Sequence, residues 1–153
     1  MTSQQVEKEL FEFNRLTNKA KENNTMKVFI ADDSPIIQER LMTMLSDITE
    51  VEIVGKAHDT PEAIKSIKEL KPDVVILDNR MPGGGGIEVL QSIKKDLPRT
   101  KVIVFTNYPY TQYRKKFMEL GADFFFSKSI QFEEIANAIN ELNYRNDGRR
   151  FAE

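Results

Sequence analysis

The sequence predicts an α/β domain built on a doubly wound, five-stranded parallel sheet. Three observations predict it. Apolar runs recur from Met26 onward at Val28–Ala31, Val51–Val54, Val74–Leu77, Val102–Phe105 and Phe124–Phe126. Each run is continuous rather than alternating with polar residues, as expected of strands covered on both faces. Helical spacing fills the gaps, and strands alternating with helices imply parallel pairing through right-handed crossovers.

The helices follow in order. Ser34 is a natural N-cap and Pro35 a natural first-turn residue. Ile37, Leu41, Met44, Leu45 and Ile48 then form one stripe. Asp59-Thr60-Pro61 opens the next helix, with Ile64, Ile67 and Leu70 inward. Leu90, Ile93 and Leu97 mark the third, and Tyr113, Phe117 and Leu120 the fourth. Gly121 can end that fourth helix in a left-handed conformation. Phe132, Ile135, Ile139 and Leu142 mark the fifth.

Residues 1–25 stand apart. Val6, Leu10, Phe13 and Ala20 fall on a four-then-three spacing, with Thr17 filling the gap. That suits an amphipathic helix, followed by a linker at Lys21-Glu22-Asn23-Asn24. The stripe is expected to pack on its own domain. The alternative is a coiled-coil homodimer, which fewer than three heptads support weakly. The domain itself is expected to run from 26 to 145, with a short frayed tail at 146–153.

Bulk properties exclude several classes. Of 153 residues, 40% are hydrophobic and 30% charged, and the formal net charge is -2. No global field draws such a chain to nucleic acid or acidic membranes. Arg145, Arg149 and Arg150 are too sparse for a nucleic-acid site. There is no cysteine, which excludes disulfides and thiol chemistry and fits a reducing, cytoplasmic setting. No apolar run approaches the ~20 residues of a membrane helix, and no signal peptide is visible. The lone His58 leaves no histidine-based metal site and reads as an exposed turn residue.

The chemistry lies at the strand ends. Asp32-Asp33 follows the first apolar run, Asp78 the third, and Lys128 closely follows the fifth. Open α/β sheets place their sites at this edge. Taken singly, each acid reads as a solvated turn or cap, and Lys128 as a surface lysine. Together they would place three carboxylates near one another, and each repulsion costs about 4 kcal/mol at ~4 Å and an effective dielectric of about 20. Lys128 cancels one charge, so the cluster calls for a hard divalent cation.

Asp32-Asp33, Asp78 followed by Met81-Pro82 and Gly86, then Thr106 and Lys128 resemble the receiver domain of two-component response regulators, over roughly Met26 to Tyr144. The resemblance implies a flavodoxin-like sheet of order 2-1-3-4-5. It implies Asp78 as phosphoacceptor, with Mg2+ held by Asp33, Asp78, the backbone carbonyl of Arg80 and, through water, Asp32. Lys128 would pair with a phosphoryl oxygen, and Thr106 would donate its hydroxyl to the phosphoryl group. Phe125 matches the switch aromatic, turning inward as Thr106 moves. Readout would lie on the fourth helix, fifth strand and fifth helix. The implied partners are a histidine kinase or phosphotransfer protein and a downstream protein. The implied role is a stand-alone switch rather than a turnover enzyme, since too little chain follows residue 145 for a DNA-binding output domain.

The chain departs from the usual pattern in three places. Ser129 follows the lysine where proline is common, which would loosen that loop. Gly83-Gly84-Gly85-Gly86 is glycine-rich and reads as a flexible loop, not a P-loop, because no Gly-Lys-Ser/Thr follows. Arg80 and Tyr108 are long side chains flanking the phosphoryl site, and would shield an acyl phosphate from water. Two other readings stand beside this one. One is a receiver-like scaffold that is never phosphorylated. The other is a Mg2+-dependent phosphohydrolase with an aspartyl nucleophile, against which Arg80 stands where a second acid is usual.

Overall fold

A computed structural model describes residues 2–152, with side chains described at 2–15 and 25–144. The first half runs α1 (Ser3–Asn24), β1 (Met26–Ala31), α2 (Pro35–Ser46), β2 (Val51–Ala57), α3 (Thr60–Leu70) and β3 (Val74–Leu77). The second half runs α4 (Gly86–Asp96), β4 (Lys101–Thr106), α5 (Thr111–Glu119), β5 (Phe124–Ser127) and α6 (Glu134–Ala152). All strand pairs are parallel, in the order β2-β1-β3-β4-β5.

The period of two along each strand divides the core. Phe29, Ala31, Val75, Leu77, Val102, Val104 and Phe125 face α3, α4 and α5, where they meet Ala63, Ile67, Val89, Leu90, Ile93 and Phe117. Val28, Ile30, Val74, Ile76, Ile103 and Phe105 face α2 and α6, meeting Leu41, Leu45, Ile135, Ala138, Ile139 and Leu142. Helices therefore cover both faces, which is why the strand sequences carry no polar alternation.

The capping residues act as their chemistry predicts. Ser34 Oγ accepts from the Ile37 amide at 3.3 Å, and Asp59 Oδ1 accepts from the Glu62 amide at 2.8 Å. Gly121 takes φ +105° just past α5, a conformation that L side chains resist.

The ends of the chain differ from expectation. Helix α1 continues through Lys21–Asn24, the stretch expected to be a linker. Among its described side chains, Val6, Leu10, Phe11 and Phe13 are 49–70% exposed, and none joins either core cluster. The side chains of Thr17 and Ala20, like those of Arg145, Arg149 and Arg150, lie outside the described residues. Helix α6 runs on to Ala152, so the stretch expected as a frayed tail from 146 is helical over 146–152. Leu70, expected inward, is 40% exposed at the last turn of α3.

The glycine run is an ordered turn rather than a loose loop. Gly83, Gly84 and Gly85 take φ of +87°, +148° and +105°, which only glycine adopts cheaply. The Thr60 hydroxyl accepts from the Gly85 amide at 2.8 Å, and the Thr60 amide donates to the Pro82 carbonyl at 2.9 Å. Gly86 has a different reason for being glycine: a Cβ there would collide with the backbone carbonyl oxygen of Asp78. Gly86→Ala should therefore destabilise the fold by about 1–3 kcal/mol. Urea denaturation checks this, and an unchanged midpoint would mean that α4 shifts freely away from Asp78.

Candidate functional site

Three strand ends bring the predicted residues together. The Asp32 amide donates to the Ala57 carbonyl at 3.1 Å, the Asp78 amide to Ala31 at 2.9 Å and the Lys128 amide to Thr106 at 2.9 Å. Each residue thus sits one step past a strand, held by a further rung of the sheet ladder. That rung fixes the backbone while the side chain leaves the sheet edge.

The side chains then converge. Lys128 Nζ lies 2.7 Å from Asp32 Oδ2 and 3.0 Å from Asp78 Oδ2, with all three side chains at most 6% exposed. Asp33 is exposed at the rim, and carboxylate oxygens of Asp32, Asp33 and Asp78 lie within 4.8 Å of one another. Three carboxylates and one ammonium leave a formal charge of -2 in this cluster. A hard dication would neutralise it, and oxygen donors are the ligands such an ion takes. The donor set therefore fits Mg2+. Arg80 lines a cleft beside Asp33 with Asn79, Met81 and Pro82.

Burial and crowding tune the acids. Burial, then the charge of Asp32, raises the Asp78 carboxyl from 3.8 to about 6, against the opposing pull of Lys128. Asp32 is also raised, chiefly by burial, while Lys128 and the Ser34 amide (2.9 Å) pull the other way. Burial works against the Lys128 ammonium, but its hydrogen bonds and charge contacts with Asp32 and Asp78 outweigh it and hold the amine above its usual range.

Thr106, the last residue of β4, is fully buried, and its Oγ1 accepts from the Tyr108 amide at 3.0 Å. The hydroxyl proton is not used in that bond. Phe125 is 5% exposed and packs inward against Phe117, ring centroids 6.0 Å apart. At the rim the Arg80 guanidinium lies 3.7 Å over the Tyr108 ring, and Tyr110 and Tyr113 continue the aromatic row. The loop after β5 is tied down despite Ser129. Ser127 and Ser129 hydroxyls lie 3.0 Å apart, and Gln131 Oε1 accepts from the Ser127 amide at 2.9 Å.

The family profile of the response regulator receiver domain matches residues 28–140. The chain belongs to the response regulator receiver family. Response regulator GacA of Pseudomonas aeruginosa is 33% identical over 117 residues, covering 76% of this chain and 55% of its own length. Response regulator VraR of Staphylococcus aureus is 32% identical over 119 residues, 78% of this chain and 57% of its own. The chain thus spans little more than half the length of these relatives. Among solved structures, the response regulator domain of Thermotoga maritima CheB is similar with a TM-score of 0.70 at 29% identity, covering 80% of this chain and 96% of that one. The CheX–CheY–BeF3–Mg2+ complex of Borrelia burgdorferi gives a TM-score of 0.71 at 25% identity, covering 76% and 88%.

Sequence reasoning missed two supports of this receiver site. Gln38 is 1% exposed, and its Nε2 donates to the Asp32 carbonyl at 2.7 Å and the Ala57 carbonyl at 3.0 Å. It ties the first acidic turn to the end of β2. A polar residue between Ile37 and Leu41, on the core stripe of α2, was the available signal. Thr60, which clasps the glycine turn, was read only as part of a helix start.

The raised Asp78 carboxyl has a signed consequence. The folded receiver binds more protons than the unfolded chain between about pH 4 and 6, so stability falls as pH rises through that window and levels off above it. In metal-free buffer, Asp78→Asn should be more stable than wild type near pH 7.5 by about 1–3 kcal/mol, with the advantage gone near pH 4. Denaturation at both pH values checks this; equal stabilities throughout would show that the carboxylate ionises without penalty.

Proposed function

We propose that this receiver accepts a phosphoryl group on Asp78 from a phosphohistidine donor and uses the added charge to switch a protein-binding surface. The observation that carries the reading is the buried contact of one lysine with two acids from separate strand ends, 2.7 and 3.0 Å away, with a third acid at the rim. A cluster this charged is costly to build for stability alone.

In the proposed step, a carboxylate oxygen of Asp78 attacks phosphorus. The bond from phosphorus to the donor imidazole nitrogen breaks, and that nitrogen keeps the electron pair. With its carboxyl near 6, Asp78 is mostly ionised at neutral pH and therefore nucleophilic. Asp32, Asp33, Asp78 and the Arg80 carbonyl would hold Mg2+, which when bound supplies the positive charge that offsets charge on the phosphoryl oxygens. Lys128 is already within reach of Asp78 and serves as a point charge on the transferred group. The BeF3 and Mg2+ named in the related CheX–CheY complex support this arrangement.

The acyl phosphate brings about -1.5 to -2 charges and new acceptors. Thr106 has a hydroxyl proton to give, and turning toward phosphate releases the Tyr108 amide. Phe125 sits three residues before Lys128 and packs on α5 through Phe117. Movement of the two loops therefore reaches the α5–β5–α6 face, the proposed readout. Among the described residues no helix is long and apolar enough to cross a membrane. The hydrolase alternative lacks its second acid, since Arg80 instead lies over Tyr108.

Incubation with acetyl phosphate and Mg2+ should add a single phosphate by intact mass. The adduct should be absent in Asp78→Asn and in EDTA. An unmodified mass alongside a receiver that does react would favour an unphosphorylated scaffold. The Arg80–Tyr108 stack should slow hydrolysis, so the Arg80→Ala, Tyr108→Ala double variant should lose its phosphate faster than wild type. Slower loss in the double variant would refute shielding.

A further inference from the structure

We infer that Gln38 is a positioning residue for the acidic turn, and that through the backbone of Asp32 and Asp33 it raises the affinity of the site for Mg2+. The inference rests on the Mg2+ reading proposed above. Gln38 stands on α2 with Leu41 and Leu45, the other buried side chains of that helix, and is 1% exposed. A buried amide must find partners. Here Nε2 donates to two backbone carbonyls, of Asp32 at 2.7 Å and of Ala57 at 3.0 Å. The orientation is forced, since a reversed amide would set its oxygen against two carbonyl oxygens. A primary amide has two protons, so His58 Nδ1, 3.3 Å from the same nitrogen, gets at most a share of one.

The clamp closes around the exposed acid. The Asp32 amide itself donates to Ala57 at 3.1 Å, so with Gln38 in place both backbone polar groups of Asp32 are held. Ser34 is held in turn: its amide donates to Asp32 Oδ1 at 2.9 Å, and its carbonyl accepts the Gln38 amide at 3.1 Å. Asp33 lies between these two anchored residues and is exposed. The carbonyl that Gln38 holds belongs to the peptide unit joining Asp32 to Asp33. That unit is planar and stiff, so fixing its carbonyl fixes the direction in which the chain carries Asp33. Carboxylate oxygens of Asp32, Asp33 and Asp78 lie within 4.8 Å of one another, and their repulsion pushes the exposed acid outward. Gln38 opposes that push before any cation arrives. Outer partners that orient metal ligands are worth about 10–100-fold in metal affinity.

Gln38→Met keeps the length of the side chain and removes both donors. Thr100→Val is the control. It deletes another buried bond, Thr100 Oγ1 to the Pro72 carbonyl at 2.7 Å, just before β4 and so at the far edge of the sheet. Magnesium chloride titrations of the full chain, followed by amide NMR shifts, should give Gln38→Met a Kd about 10-fold or more above wild type. Thr100→Val should bind as wild type does, although urea denaturation should show both variants weakened. Gln38→Asn, whose shorter amide cannot span both carbonyls, should also bind weakly and serves if Gln38→Met does not fold. In metal-free buffer the Asp33 and Ser34 amide resonances should shift in the Gln38 variants and stay in place in Thr100→Val. Unchanged Mg2+ affinity in a folded Gln38 variant would overturn the inference and leave the Mg2+ reading intact, as would an equal loss in Thr100→Val. A wild type that binds no Mg2+ would overturn both.

Discussion

One ammonium group organises this molecule. Lys128 reaches Asp32 and Asp78 from the far side of the sheet, so the ends of β1, β3 and β5 are joined through a single buried charge. Remove it and two buried carboxylates face each other without compensation, an arrangement whose cost exceeds that of most single contacts. The rest of the edge is built to hold this contact: ladder amides fix the three backbones, Gln38 braces the first turn, and Gly86 lets α4 begin against the Asp78 carbonyl.

The contact is deliberately incomplete in charge terms. It balances one acid of three, and what remains is the formal -2 that makes the site receptive to a small dication. Burial does further work by holding Asp78 close to neutrality in pKa. A carboxylate whose pKa is raised this far by burial is sensitive to whatever positive charge arrives beside it.

Much of this was legible in the sequence, for physical reasons. Continuous apolar runs exposed the five strands because helices cover both faces, and Ser34, Asp59 and Gly121 marked helix ends through backbone chemistry that depends on few neighbours. The site was legible because the fold places strand ends together whatever their separation in sequence. Other features were not readable, since they depend on tertiary placement. Val6, Leu10 and Phe13 have the spacing of a packed helix, but spacing does not say what it packs against. The glycine run suggested freedom, whereas its positive φ angles and the Thr60 clasp make it a specific turn. The role of Gln38 was not readable either, because it depends on folding bringing the Asp32 and Ala57 carbonyls to one side chain of α2.

The Thr60 clasp has a mechanical corollary. The segment following Asp78 is moored at two points to the first turn of α3, on the opposite flank from α5 and β5. It cannot swing by itself. A displacement there either drags α3 with it or ruptures both moorings, so any local event in this segment is carried into that flank of the sheet as a rigid pull.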